Sequence, residues 1–396
     1  MSVSKLRVLV ANAREQIYGL AQRLVSIPSL SGQEREIADV VLHEMQILGY
    51  DDVWRDEVGN IVGCVRGGGG RTLLLNAHMD IVDPGDVSRW RYPPFDGEIS
   101  DGYLWGRGAS DTKGSLAAQI CAVGLLHQAG LRPAGDVYVA AVVGEETGGF
   151  GMQHLLTRLR TDLAIIGEPS ANTLRRGHRG RFELVVTWRG RSAHASAPER
   201  AINPYYSMAR FLLALRETPM ARHPDFGCST VAPTLSRIDQ ISSNVTPSEV
   251  VLHLDWRNVP GETLAQAQTL VRRLLDATSD VGVQATVDTA KRPVRAYTGL
   301  ERTPLSEFSS FATPADDPRL LRARQILEEA LGRTIEVGVW AFATDGGHLA
   351  AAGVPCIGFG PGEEGQAHVL DEHLALAQLE EATLGYLGLA LGLGAG

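Results

Sequence analysis

No apolar segment of this chain reaches the ~20 residues that a membrane-spanning helix needs, so no membrane partner is expected. The first residues also lack the apolar run and small-residue cleavage site of a secretory signal, which points to a cytoplasmic protein. Cysteine is scarce: Cys64, Cys121, Cys228 and Cys356 stand far apart, with no CxxC pair. That spacing argues against both a cysteine zinc site and a disulfide framework. Cys121 and Cys356 fall in apolar runs and read as core residues. Positive charge is not in excess either. The formal net charge is -9, so the chain gains nothing from releasing counterions on a polyanion, and no nucleic-acid partner is expected. The local exception, Arg175, Arg176, Arg179 and Arg181, reads as a solvated loop. Gly67–Gly70 lacks the lysine-serine ending of a phosphate-binding loop. There is no internal repeat and no low-complexity tract.

The 396 residues are 44% hydrophobic and 21% charged, the balance of a globular chain of two or three domain-sized units. Helical spacing over residues 11–26 ends at Pro28, and Ser31 with Glu34 forms a capping-box pattern before a second helix that ends near Gly49. Residues 61–65, 72–77, 136–143 and 162–167 read as strands, and 112–129 as a helix opened by Asp111. Strands alternating with helices imply an α/β fold with a mostly parallel mixed sheet flanked by helices. From residue 178 to 291 the order changes to strand (181–188), helix (203–217), strand (230–238), strand (249–256), helix (262–276), strand (282–288). This βαββαβ order predicts an inserted α+β lid domain. Residues 1–177 and 292–396 are then the two parts of one catalytic domain, with a helix at 319–331, a strand at 354–359 and a last helix after His368.

Polar groups fall where the predicted strands end, which is where ligands bind in parallel sheets. His78-Met-Asp80 puts an imidazole and a carboxylate on one side of an extended segment, so Asp80 could orient His78, although such a pair alone is more often incidental. Asp111 sits among Gly106, Gly108 and Gly114 at a helix start; it is either an N-cap or a residue in a loop of close backbone approach. Glu145-Glu146 follows Val-Ala-Ala-Val-Val-Gly. Two adjacent carboxylates repel unless one meets a cation and the other serves as a base. Gly167-Glu168-Pro169 and Gln366-Ala-His368 complete the set. Two imidazoles and three carboxylates are donors that zinc accepts, and one bridging aspartate would let five side chains hold a metal pair.

These motifs occur in a fixed order: Ala77-His-Met-Asp80, Gly106-Arg-Gly-x-x-Asp-x-Lys-Gly114, Glu145-Glu146, Gly167-Glu-Pro169, Arg191-Ser-Ala-His194, and Gly360-Pro-Gly followed by His368. In that order the chain resembles, through nearly its whole length, the cocatalytic zinc peptidases and deacylases of the acetylornithine deacetylase, succinyl-diaminopimelate desuccinylase and carboxypeptidase G type. Gly177-His-Arg-Gly-Arg181 and Gly360-Pro-Gly-Glu-Glu364 are most similar to uncharacterised peptidase-like members, while Ala343-Thr-Asp-Gly-Gly347 departs from the serine- and glycine-rich run of the desuccinylases.

The resemblance implies two zinc ions per chain, with cobalt or manganese as substitutes. His78, Asp111 and Glu168 would hold one, and Asp111, Glu146 and His368 the other. Asp80 would support His78, the Asp111–Thr112 peptide would be cis, and Glu145 would be the general base toward a metal-bridging water. His194 would reach into the partner subunit's site and donate to the substrate carbonyl oxygen, which implies a homodimer formed through the lid. Asn244, Arg257, Thr344 and Gly346 would contact substrate, Arg257 through a free carboxylate. The implied activity is deacylation of an N-acyl amino acid. An exopeptidase or dipeptidase with the same site is the alternative, and a metal-binding module without turnover is opposed by the presence of Glu145 beside a full ligand set.

Overall fold

Leu73, Leu74 and Leu75 have no solvent-facing side, and the residues after them, through His78, are buried as well. A strand covered on both faces needs neighbours on both edges and helices above and below. The computed structural model, which describes residues 2–394, supplies both. Leu73–His78 lies parallel between Val137–Val142 and Leu163–Ile166, and Leu163–Ile166 is parallel to Cys356–Gly358. Antiparallel strands extend this centre: Ile61–Val65 and Asp52–Arg55 on one side, Leu174–His178 on the other. The sheet is therefore mixed with a parallel middle. Its helices include Gly114–Gln128, buried from Gly114 to Leu126 and packed against Leu376–Gly392 and two of the central strands. A helix apolar on all sides belongs inside a fold, not on its surface.

By chain contacts the molecule divides into two compact units: residues through Gly177, Pro293–Arg302 and Ala312 onward form the first, and His178–Arg292 with Thr303–Phe311 the second. In the second unit an antiparallel sheet runs in the order Thr230–Ile238, Glu249–Arg257, Arg181–Arg189, Gln284–Thr289. Helices Pro204–Arg216 and Leu264–Thr278 pack on it. Alternate residues Phe182, Leu184, Val186 and Trp188 face those helices and are buried with Leu254 and Trp256. Thr303–Phe311 joins this unit because Glu307 and Phe308 pair with Phe182 and Arg181.

The α/β class and the βαββαβ order agree with the sequence pattern, and local details differ. Two helices, Val3–Asn12 and Arg14–Val25, stand where one is expected over residues 11–26. The apolar stripe starts earlier because Leu6 and Val10 pack in the same core as Ile17 and Leu20. The Ser31–Glu34 capping box does not form: Ser31 donates its hydroxyl to Asp80 Oδ2 (2.6 Å), and the helix Arg35–Ile47 begins without a side-chain cap. Arg175 and Arg176 lie on the Leu174–His178 strand and not in a solvated loop. Arg175 pairs with Glu364 (2.8 Å) and Arg176 donates to the Thr313 carbonyl (3.1 Å).

Gly167, just after the Leu163–Ile166 strand, lies close against the Gly114–Gln128 helix. A Cβ there would collide with the Gln119 amide and the Ser115 hydroxyl and would sit 2.8 Å from the Asn76 carbonyl oxygen. Overpacking of this kind costs about 1–3 kcal/mol. Gly167→Ala is accordingly expected to lower the unfolding free energy by that amount, read as a lower urea midpoint with an unchanged denaturant slope.

Candidate functional site

Parallel strands finish on the same edge of the sheet, so the residues that follow them are brought together by topology. His78 ends the Leu73–His78 strand, Gly144-Glu145-Glu146 follows Val137–Val142, and Glu168 follows Leu163–Ile166. The turn before the Gly114–Gln128 helix adds Asp111. Gly108 opens that turn in the left-handed region (φ 85°), and the Asp111–Thr112 peptide is cis. His368 comes from the loop ahead of the last helix and is itself left-handed (φ 63°), a conformation a residue other than glycine adopts only when its surroundings hold it.

These side chains form two groups. Donor atoms of His78, Asp111 and Glu168 lie within 4.8 Å of one another, and so do those of Asp111, Glu146 and His368. Asp111 is common to both. Its Oδ1 is 3.0 Å from His78 Nε2 and its Oδ2 is 3.3 Å from His368 Nε2, while Glu146 Oε1 is 2.9 Å from His368 Nε2. His78 Nδ1 lies 2.8 Å from the Asp80 carbonyl oxygen, which it meets as a donor, so Nε2 is left with its lone pair toward the carboxylates. His78 is 1% exposed and His368 half exposed, which makes the group open on one side only.

Asp80 does more than the sequence pattern suggests. Its carboxylate is 3.6 Å from His78 Nδ1, beyond hydrogen-bond range. It instead accepts the backbone N–H groups of Glu145 (3.0 Å, Oδ1) and Glu146 (3.1 Å, Oδ2), together with the Ser31 hydroxyl. Asp80 thus fixes where the Glu145-Glu146 turn sits. Glu145 is buried, and its Oε1 has no hydrogen-bond partner.

Negative charge is crowded in this site. Burial, and then the Glu168 carboxylate, push Glu145 well above the usual carboxylate range; burial and Asp111 do the same to Glu168 and raise Glu146. Burial would also raise Asp111, but hydrogen bonds from His368 and His78 overcome it and hold the group low. His368 is pushed up to about 10 by its bonds to Asp111 and Glu146. Four crowded carboxylates, one of them with an unpaired oxygen, are what a divalent cation relieves. One imidazole with carboxylate oxygens in each group is a donor set that fits zinc.

Thr344 and Gly346 are both buried, and the Thr344 hydroxyl accepts the Gly346 N–H (3.0 Å) at the start of the short helix Gly346–Ala351. Between them Asp345, which sequence reasoning passed over, is 1% exposed with Oδ1 unpaired, and burial raises it to about 7. It follows the strand Val337–Trp340 and the apolar residues Ala341–Ala343, so the same strand-end signal that marks Glu145 and Glu168 could have found it. Glu372 has no such run before it, and Ser31 was read as half of a helix cap.

The remaining expected residues belong to the second unit. His194 and Asn244 lie on adjoining segments: Ala195 N–H donates to the Asn244 carbonyl (2.8 Å), and His194 bridges Val245. His194 is exposed. Its Nδ1 accepts the Ser196 N–H (3.1 Å), so in the neutral ring the proton is on Nε2, the atom left free to donate. The Asn244 side chain accepts from Ser242 (2.5 Å). Arg257 ends the Glu249–Arg257 strand with Nε on Asp255 Oδ1 (2.6 Å), and Arg181 holds the other oxygen of that carboxylate (2.7 Å).

The model of peptidase family M20/M25/M40 matches residues 74–391. The chain is 30% identical over 358 residues to the uncharacterized protein YgeY of Escherichia coli K12, covering 88% of this chain and 87% of that one. It is 29% identical over 387 residues to a succinyl-diaminopimelate desuccinylase of Cereibacter sphaeroides, covering 93% and 96%. Among solved structures, aminopeptidase PepT from Bacillus cereus superposes with a TM-score of 0.77 at 20% identity, over 97% of this chain and 99% of that one, a likeness of fold. No described helix is long and apolar enough to cross a membrane.

Proposed function

The chain belongs to peptidase family M20/M25/M40, zinc-dependent hydrolases of amide C–N bonds, and on that premise we propose that it removes the acyl group from an N-acyl amino acid with Glu145 as general base. The observation that carries this reading is the placement of Glu145. It is a buried carboxylate with one unpaired oxygen, fixed through its backbone by Asp80, beside two donor groups that share Asp111.

In this reading His78, Asp111 and Glu168 hold one zinc ion and Asp111, Glu146 and His368 the other, with cobalt or manganese able to replace it. Such a pair supplies Lewis acidity, polarising the scissile carbonyl and lowering the pKa of water toward neutrality. Glu145 takes a proton from the attacking water as its oxygen bonds to the carbonyl carbon, and returns that proton to the nitrogen as the C–N bond breaks. The products are a carboxylic acid and an amino acid. His194, with its proton on Nε2, donates to the carbonyl oxygen as negative charge builds there. Arg257, held by Asp255, meets the free carboxylate of the substrate, with Asn244, Thr344 and Gly346 as further contacts. That makes the enzyme exo-acting.

His194 serves the site of a partner subunit in this reading, so the protein is a homodimer joined through the βαββαβ domain. His194→Ala should lower turnover by roughly 10²–10³-fold, the cost of one donor to a developing oxyanion, with metal content unchanged. Normal rates in that variant, or a monomer by sedimentation, would remove His194 from the mechanism. The substrate class is tested by incubating the zinc-loaded protein with N-acetyl, N-succinyl and N-formyl amino acids beside dipeptides. Release of free amino acid from the N-acyl series is the expected result. Cleavage of dipeptides alone would replace the deacylase reading with a dipeptidase.

A further inference from the structure

Glu372 is wholly buried and lies four residues after His368, yet it belongs to neither donor group. A carboxylate without solvent is costly unless its surroundings satisfy it. The three groups bonded to this carboxylate are all donors. Oε1 accepts the backbone N–H of Ser110 (2.9 Å) and of Asp111 (3.0 Å), and Oε2 accepts Arg107 Nη1 (2.6 Å). Two further bonds lace the same segments together: Gly106 N–H to the Glu372 carbonyl (2.9 Å) and the Ser110 hydroxyl to the His373 carbonyl (2.8 Å). Arg107 in turn lies over the Trp90 ring, its guanidinium carbon 5.2 Å from the ring centroid.

The consequence concerns Asp111. Its two carboxylate oxygens face different imidazoles, Oδ1 toward His78 and Oδ2 toward His368. That division holds only while the Asp111 backbone stays in place, and Glu372 grips the N–H of Asp111 itself and of the residue before it. The chain carrying Glu372 also carries His368. A single side chain therefore ties the shared residue of both groups to the segment that supplies the more exposed imidazole. We propose that Glu372 is a positioning residue for the metal pair, which sets the Asp111 carboxylate between the two ions through the Ser110 and Asp111 N–H groups. This rests on the metal site of the proposed function and adds to it the element that fixes its geometry.

The test is zinc affinity of the full chain, measured by competition with a chromophoric chelator, for the parent, Glu372→Ala, Glu372→Asp and Glu372→Gln. Partners behind metal ligands are worth roughly 10–100-fold in affinity, and that loss is expected for Ala. Asp keeps the charge but falls one methylene short of the N–H pair, so it should lose affinity as well. Gln keeps an oxygen within reach of both N–H groups but turns its amide NH2 group toward Arg107, so it should recover part of the loss. The visible spectrum of bound cobalt(II) should change in the Asp variant and stay close to parental in Gln. Should the Ala variant fail to fold, the Asp and Gln variants decide. A folded Asp variant with parental affinity, or a Gln variant no better than Asp, overturns the proposal. A parent that takes up no zinc overturns the metal site itself, a result distinct from either of these.

Discussion

Replacing Glu145 by glutamine is expected to abolish useful turnover while both metal ions stay bound. The amide has the shape of the carboxylate and keeps its place, because Asp80 holds residue 145 through the backbone N–H and not through the side chain. What it cannot do is accept a proton. General bases contribute on the order of 10²–10⁴-fold to rate, and a group that both removes and returns the proton belongs at the upper end. Metal analysis of the dialysed variant should match the parent, and substrate affinity should change little. Because Glu145 is buried among other carboxylates that push it upward, removing its charge should not destabilise the fold. Loss of both metals from this variant would make Glu145 a ligand.

The second large effect is expected at Asp111, the one residue common to both donor groups. Asp111→Asn takes away the negative charge that the two imidazoles share and offers one oxygen where two are needed. Partners behind the ligands cost about 10–100-fold in metal affinity, so the shared ligand should cost more, and both ions should be lost together. His368→Ala, which touches one group only, should spare His78, Asp111 and Glu168. Stability reports the same difference. A ligand at 100 times its Kd stabilises a fold by about 2.7 kcal/mol, so added zinc should raise the Tm of the parent and leave that of Asp111→Asn unmoved. Retention of one ion by Asp111→Asn would show that the two positions are independent.

Much of this arrangement was legible in the sequence, for a physical reason. Strands covered on both faces leave near-continuous apolar runs, and Leu73-Leu-Leu and Val137–Val142 are such runs. A polar residue directly after one stands out, which is how His78, Glu145, Glu146 and Glu168 are found without a structure. The parallel order that lines up their ends follows from the alternation of strands and helices. Where the signal was local and polar it misled. Ser31 and Glu34 have the spacing of a helix cap, but the Ser31 hydroxyl is used by Asp80 some fifty residues away, and no local pattern encodes that. Leu174–His178 has one large apolar residue, Leu174, so its arginines read as a loop. Nothing local in the sequence pairs Glu372 with Arg107; their burial depends on two segments more than 250 residues apart meeting beside Asp111.

The most direct test is to strip the purified protein of metal and titrate zinc back while following both calorimetric heat and release of free amino acid from an N-acyl substrate. The account predicts uptake of one equivalent for each donor group and hydrolysis that appears with zinc and is absent from Glu145→Gln at the same loading. Hydrolysis undiminished in the metal-free protein, or a parent chain that binds no zinc, would contradict it.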